Sequence, residues 1–403
     1  MEIVPQAIKI RDYTYELPAY KIAEFPLTER DGSRLLVFRN GHMSDLRFRD
    51  IVDLIPADAL LILNNTKVIE ARLHFQKPTG GVIEVFCLEP HLLSIEEALQ
   101  RKSSVQWKCM IGGASKWKPG QVLNKTIQIK NGNLTLEARY ITKETDNFVI
   151  EFSWNQSLYF AEVLHAAGAI PLPPYIKRAA EEIDGDRYQT VFAAEEGSVA
   201  APTAALHFTD ELLQQIKQKA EVDYVTLHVG AGTFKPVKSE TIAEHQMHGE
   251  PFTVTKTLIE SLLKHQTIVA VGTTSLRTLE SLHWLGVKLL THKLNNWNLE
   301  QWEAYDLMKE KITAKESLMA LLNWMNDNGT NEMHCRTSLI IVPGYPIQIP
   351  NALVTNFHQP QSTLLLLVAA FIGEDWRNIY QFALDNNYRF LSYGDSSYLE
   401  RKI

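Results

Sequence analysis

The chain has 403 residues, 45% of them hydrophobic and 22% charged, with a formal net charge of −7. That is the length of about two domains, with enough apolar content to bury a core, so global disorder is excluded. Net negative charge argues against nonspecific coating of nucleic acid but leaves room for a local basic surface that binds one folded RNA. The three cysteines, Cys87, Cys109 and Cys335, stand far apart without a CxxC, which excludes a disulfide scaffold and a Cys-rich zinc module.

In chain order, the first residues, MEIVPQAIKIRDYTYELP, lack the basic and then apolar regions of a signal peptide. Leu60–Leu63 is a short apolar run of the kind that buried central strands show. From about residue 73 to about 155 apolar and polar residues alternate. Val105, Trp107, Cys109 and Ile111 do so, as do Leu134, Leu136 and Ala138, and then Phe148, Ile150, Phe152 and Trp154. Period two predicts strands with one buried face, and Asn131-Gly132 predicts a hairpin because both residues tolerate positive φ. Buried-strand runs recur at Tyr224–Val229, Thr267–Val271 and Ser338–Val342.

Helical patterns lie between these runs. Thr209 is a cap for DELLQQIKQ, and Thr313 with Glu316 forms a capping box before SLMALLNWM. Ser362 and Thr363 open the apolar helix Leu364–Ile372, which Gly373 closes. That apolar run falls well short of the ~18 residues a membrane span needs. The expected fold is a mixed α/β body, residues 1–72 and 156–403, interrupted by an all-β module at 73–155. The expected location is the cytoplasm.

Four polar and glycine-rich clusters adjoin the apolar elements. Gly197–Thr209 supplies Ser198, Thr203 and His207 among small residues that let a ligand approach the backbone, or it is simply a tight loop ending in a cap. Val225–Phe234 is read as a strand, with His228 inside it, running into Gly230-Ala-Gly232, whose amides suit an anion or a nucleobase. It is not the dinucleotide fingerprint GxGxxG. His245 and His248, with Glu244 or Glu250, raise a metal reading that the missing HExxH spacing disfavours. Val271–Glu280 turns at Gly272 into a helix start bearing Thr273, Thr274, Ser275 and Arg277, which fits either an anion site or an ordinary capped helix. Near the C-terminus stand Asn356–Thr363 and Tyr388–Asp395.

Taken together these segments resemble the S-adenosylmethionine:tRNA ribosyltransferase-isomerase family of queuosine biosynthesis. The resemblance runs through RDGSRLLVF, NNTKVIEARL, IPLPPYI, GSVAAPTAALHFT, VTLHVGAGTFKPV, MHGE, VGTTSLRTLES, TNFHQPQSTLLLLVAAF and RFLSYGDSS, in order and over nearly the whole chain. It implies a large, barrel-like α/β main domain carrying a small inserted β-barrel. It further implies transfer and isomerisation of the ribosyl part of S-adenosylmethionine onto 7-aminomethyl-7-deazaguanine at the tRNA wobble position, with loss of adenine and methionine. S-adenosylmethionine is then a consumed co-substrate. No metal or bound cofactor and no obligate protein partner is expected.

On that resemblance, His207, His228, His358 and Asp395 are the expected proton handlers. Thr203, Gly230, Gly232, Ser275, Arg277 and Ser362 are expected to hold S-adenosylmethionine or the acceptor nucleotide. Arg34, Lys67, Arg72, Lys177, Arg178, Lys235 and Lys238 are expected phosphate contacts, each with a solvated surface as its plain alternative. Three departures from the family pattern raise, as the alternative to that activity, a divergent branch that is noncatalytic or altered in substrate. Ala205 stands where the family carries glycine, and Pro251 follows MHGE. The stretch 287–335, with Trp297, Trp302 and Trp324, is longer than usual and is read as an added surface element or partner site.

Overall fold

The structure, a computed structural model, describes residues 4–130, 132–145, 147–230, 232, 237 and 239–401. Its largest sheet has ten strands. In spatial order they are Asn298–Leu299, Glu332–Thr337, Glu250–Thr255, Glu221–Leu227, Leu60–Asn64, Ile268–Val271, Ala352–Asn356, Ser396–Glu400, Arg34–Arg39 and His42–Arg47. The four strands from Glu221–Leu227 to Ala352–Asn356 run parallel to one another. Ser396–Glu400 is antiparallel to Ala352–Asn356.

The central strands are apolar runs because both faces of the sheet are covered. Leu60–Asn64, Ile268–Val271 and Ala352–Asn356 are buried at every residue. Leu60 and Ile62 face one core, which includes residues of the helices Thr273–Leu290, Ala314–Asp327 and Thr363–Ile372. Leu61 and Leu63 face a second core with Phe48, Phe208, Leu212 and Ile216. The parallel arrangement has a functional consequence: the carboxyl ends of these strands lie at one edge of the sheet, where open α/β sheets bind ligands. Asn64, Leu227, Val271 and Asn356 end them, and the polar clusters begin just beyond.

The second sheet has seven strands between Arg72 and Ala169, and every pairing in it is antiparallel. Its strands Arg72–Gln76 and Val122–Ile129 lie far apart in the ladder order yet bring Cα atoms within 8 Å of each other, so the sheet curls on itself. Phe75, Val85, Trp107, Leu136 and Phe152 fill the interior, together with Phe160, Val163 and Leu164 of the helix Phe160–Ala167. Val122–Ile129 and Gly132–Lys143 pair as a hairpin with Ile129 opposite Gly132; Asn131 lies outside the described residues. A short parallel pair, Thr66–Val68 with Glu195–Ser198, lies just beyond the central strand Leu60–Asn64.

The four helix boundaries read from capping residues have a direct cause. Thr209, Thr313 and Ser362 each accept a hydrogen bond from a first-turn amide, and Gly373 takes the positive φ that ends its helix. Three expectations are corrected. Ser338–Val342 is a largely buried run but not a strand: Ser338 and Ile340 bond to the Leu299 and Gln301 carbonyls, while the Leu339 and Val342 amides turn to the side-chain oxygens of Thr337 and Tyr305. His228 lies beyond the end of its strand, which stops at Leu227. The stretch 287–335 is built into the main core rather than added to the surface, since Leu299, Leu307, Leu318, Leu321 and Met325 are buried in it and Trp297 meets Trp324 edge to face.

Candidate active site

Two cavities open beyond the carboxyl ends of the parallel strands, with Val229 as a wall of both. The larger, about 600 Å³, lies between the curled sheet and the main sheet. Glu89, Glu96, Lys108 and Met110 line it from one side, and His228, Gly230, Gly232, His248, Glu250 and Arg336 from the other. The smaller, about 80 Å³, lies under the start of the helix Thr273–Leu290 and is walled by Thr203, Thr274, Asn356, His358 and Ser362.

His228 hangs from the strand end with its amide bonded to the Pro251 carbonyl at 3.1 Å. Its Nδ1 lies 2.9 Å from Thr66 Oγ1, and that hydroxyl also donates to the Glu195 carbonyl at 3.4 Å. With its proton so placed, Thr66 accepts from Nδ1–H, which leaves Nε2 as a lone pair. The nearest carboxylate oxygen, Glu96 Oε1, is 3.9 Å from Nε2. Burial lowers the His228 pKa, and Glu96 opposes this, so the ring is neutral at pH 7 and able to accept a proton.

Beside it, Glu250 does two things. Its Oε1 accepts the Gly230 amide at 2.8 Å, and its Oε2 pairs with Arg277. Burial pulls the Arg277 pKa down to about 10. Arg277 is therefore turned toward Glu250 and does not line either cavity. Gly232 is required for packing, because a Cβ there would stand 2.3 Å from the His248 ring.

At the smaller cavity, His358 is held by Thr355 Oγ1 on Nε2 at 2.9 Å and by the Tyr380 hydroxyl on its amide. Burial pushes its pKa down to about 3. Thr203 donates to Asn356 Oδ1 at 2.8 Å. Ser362 donates to the Gln359 carbonyl while capping its helix.

Not all the sequence candidates converge. His207 lies elsewhere, bonded through Nδ1 to Ser33 in a separate cavity of about 20 Å³ with Arg30 and Arg187, and burial pushes its pKa down to about 4. Asp395 is buried and accepts the amides of Arg34 and Arg389, so it ties two loops together. Ser275 is buried and lines neither cavity. Conversely, Asn356 lines the smaller cavity without standing among the expected ligand contacts, Thr274 lines it from the helix start read as a possible anion site, and Glu250, read only as a possible metal ligand, lines the larger one. Each sits in a motif that was noticed, but only burial and partner geometry distinguish it from its neighbours. Among the described residues no three His, Cys, Asp or Glu side chains are grouped to hold a metal ion.

This geometry can be set beside known proteins. A family model described as "Queuosine biosynthesis protein" matches residues 10–399. The chain belongs to the queuosine biosynthesis family. Within it, the S-adenosylmethionine:tRNA ribosyltransferase-isomerase of Halothermothrix orenii is 37% identical over 401 residues, covering 96% of this chain and 99% of that protein. A solved structure of the S-adenosylmethionine tRNA ribosyltransferase of Thermotoga maritima is 27% identical and covers 96% of this chain and 99% of its own, with a TM-score of 0.45.

The two substituted positions of this queuosine biosynthesis chain cause no backbone conflict. Ala205 sits in a 3-10 turn, is fully buried and is absent from the positive-φ residues, so the strain expected from replacing glycine does not arise. Pro251 lies in a strand where its carbonyl serves His228. Most of the expected phosphate contacts already have partners. Arg34 pairs with Asp45, Lys67 with Glu196 at 2.9 Å, and Arg178 with Asp184 at 2.7 Å, while Arg72 Nε is 3.9 Å from Glu84. Lys177 is exposed. Lys235 and Lys238 lie outside the described residues.

Proposed function

We propose that this protein transfers the ribosyl part of S-adenosylmethionine to 7-aminomethyl-7-deazaguanine at the tRNA wobble position and isomerises it, giving epoxyqueuosine-tRNA, adenine and methionine. The observation that carries this reading is the 37% identity to a ribosyltransferase-isomerase along almost the full length of both chains. S-adenosylmethionine is consumed, no cofactor is retained, and the reaction takes place in the cytoplasm. Residues 73–155 form an inserted module that walls the larger cavity.

The chemistry sets demands on the residues that line the cavities. A sulfonium acidifies the neighbouring C5′ hydrogens, and a neutral imidazole is the base suited to remove one near pH 7. His228, neutral through burial and facing the larger cavity, fits that role. Glu96 puts a carboxylate on a wall of the same cavity, where a sulfonium or the acceptor's ammonium gains from opposite charge, whereas the charge of Glu250 is already met by Arg277. The acceptor amine attacks only when neutral, and its proton passes to a group of this kind. His358, neutral in the smaller cavity, is the second proton handler. Thr203, Gly230, Gly232 and Ser362 hold substrate directly. Arg277 acts through Glu250, and Asp395 and His207 support the loops around the site.

The test combines purified protein, S-adenosylmethionine and tRNA bearing the aminomethyl-deazaguanine precursor, with mass spectrometry of digested nucleosides and supernatant. Epoxyqueuosine with adenine and methionine is the expected result. tRNA binding without product would favour a noncatalytic relative, and methylated tRNA with S-adenosylhomocysteine would overturn the reading.

A further inference from the structure

The smaller cavity has an unusual lining: among the described residues it contains no aspartate, glutamate, lysine or arginine. The 18-residue helix Thr273–Leu290 starts at its wall, and the residue at the cap position is Gly272, with φ of 88° and no side chain to accept from the first-turn amides. Those of Thr273 and Thr274 therefore have no intrahelical partner and no cap, and the helix dipole adds positive potential at the same point. Thr274 Oγ1, on the same wall, makes no hydrogen bond within the protein.

A second, independent group points to the same place. Asn356 is 2% exposed and lines the cavity. Its Oδ1 accepts the Thr203 hydroxyl proton, which has no other acceptor in reach, and this fixes the amide orientation. Its Nδ2 is then a buried donor without an acceptor in the protein. A buried amide donor left this way destabilises the empty site, and an anionic ligand oxygen would relieve it.

We infer that this cavity is an oxyanion subsite that takes a carboxylate or phosphate group between the first-turn amides of Thr273 and Thr274, Thr274 Oγ1 and Asn356 Nδ2. Resting on the ribosyl-transfer reading, the group is the carboxylate of the methionine part of S-adenosylmethionine. Val229 walls both cavities, so the subsite adjoins the larger cavity in which the rest of that molecule would lie. A phosphate of the wobble nucleotide has the same oxyanion chemistry and is the alternative source.

Calorimetric binding of S-adenosylmethionine and of its decarboxylated analogue, which keeps the sulfonium and adenosine, tests this without turnover. Loss of the carboxylate is expected to weaken binding to the unsubstituted protein about 10- to 100-fold, the range for charge-assisted hydrogen bonds. Thr274→Val and Asn356→Leu should each weaken S-adenosylmethionine and shrink the difference between the two ligands. If both variants bind S-adenosylmethionine normally but tRNA more weakly, the subsite stands with RNA phosphate as its occupant. If the folded variants, checked by circular dichroism, bind both ligands and tRNA as the unsubstituted protein does, the subsite is refuted. Thr274→Val preserves shape, so its result decides even if Asn356→Leu fails to fold. Failure of the ribosyl-transfer reading would appear separately, as absent epoxyqueuosine with the ligand difference intact.

Discussion

His358, His207 and His283 are all buried with pKa values pushed down, to about 3, 4 and 4. In the unfolded chain each takes a proton near pH 6.5. Between that value and the folded one the unfolded state holds more protons, so stability is complete above about pH 6.5 and is lost as pH falls toward 4. Glu280 acts with the opposite sign. Burial raises its pKa to about 7 although it accepts from the Tyr345 hydroxyl and the amides of Gln348 and Ile349. Its folded form holds the extra proton between about pH 4.5 and 7, which favours the folded state on acidification. Melting temperature should therefore fall from pH 6.5 to 4. Glu280→Gln should make that fall larger and His283→Gln should make it smaller. Identical pH profiles for all three proteins would refute this assignment of the slopes. None of this was visible in the sequence, where a histidine in a small-residue motif looks the same whether it faces a substrate or Ser33. Nor does the sequence show that Arg277 pairs with Glu250, which arrives from a separate strand.

At the level of elements, period-two alternation worked well between 104 and 154 because each strand of the curled sheet has one buried face. The apolar pattern failed at Ser338–Val342, because a buried segment whose amides turn partly to side chains leaves the same apolar signature as a central strand. In 287–335 the capping box showed where the helix Ala314–Asp327 begins but not that it is packed into the main core. There the helix Ala314–Asp327 packs on Thr273–Leu290 through Gly286, whose ideal Cβ would lie 2.3 Å from the Ser317 carbonyl oxygen. His283 Nδ1 meets Ser317 Oγ at 2.9 Å across the same contact. A glycine inside a helix otherwise costs helix stability, so its presence here reflects the close approach of two backbones. Gly286→Ala should improve local helix propensity yet destabilise the protein by about 1–3 kcal/mol through overpacking. Urea unfolding measures the sign, and a more stable variant would show that the helices can separate freely. Because the helix begins at the smaller cavity, the variant also reports whether this remote contact sets the position of Thr273 and Thr274.

Across the whole molecule, the sheet order brings four strand ends to one edge, and the curled sheet closes the far side of the larger cavity. Motif order in the chain does not reveal that Leu60–Asn64 lies between Glu221–Leu227 and Ile268–Val271. That topology, rather than spacing, brings Thr66 to His228. It equally decides which cations remain available to RNA, and this bears on how a chain of net charge −7 holds a polyanion. A cation compensated by a carboxylate releases less when phosphate replaces its partner, whereas an unpaired one adds a full counterion release. Lys67, 2.9 Å from Glu196, belongs to the first kind, and the exposed Lys177, which forms no ion pair among the described residues, belongs to the second. Measuring tRNA affinity from low to moderate salt should give a steep negative dependence of log K on log salt. Lys177→Gln should reduce the slope by about 1, and Lys67→Gln should change it less. If neither substitution moves the slope, the phosphate contacts lie outside these segments, and a flat response in the unsubstituted protein would remove the electrostatic account of tRNA binding altogether.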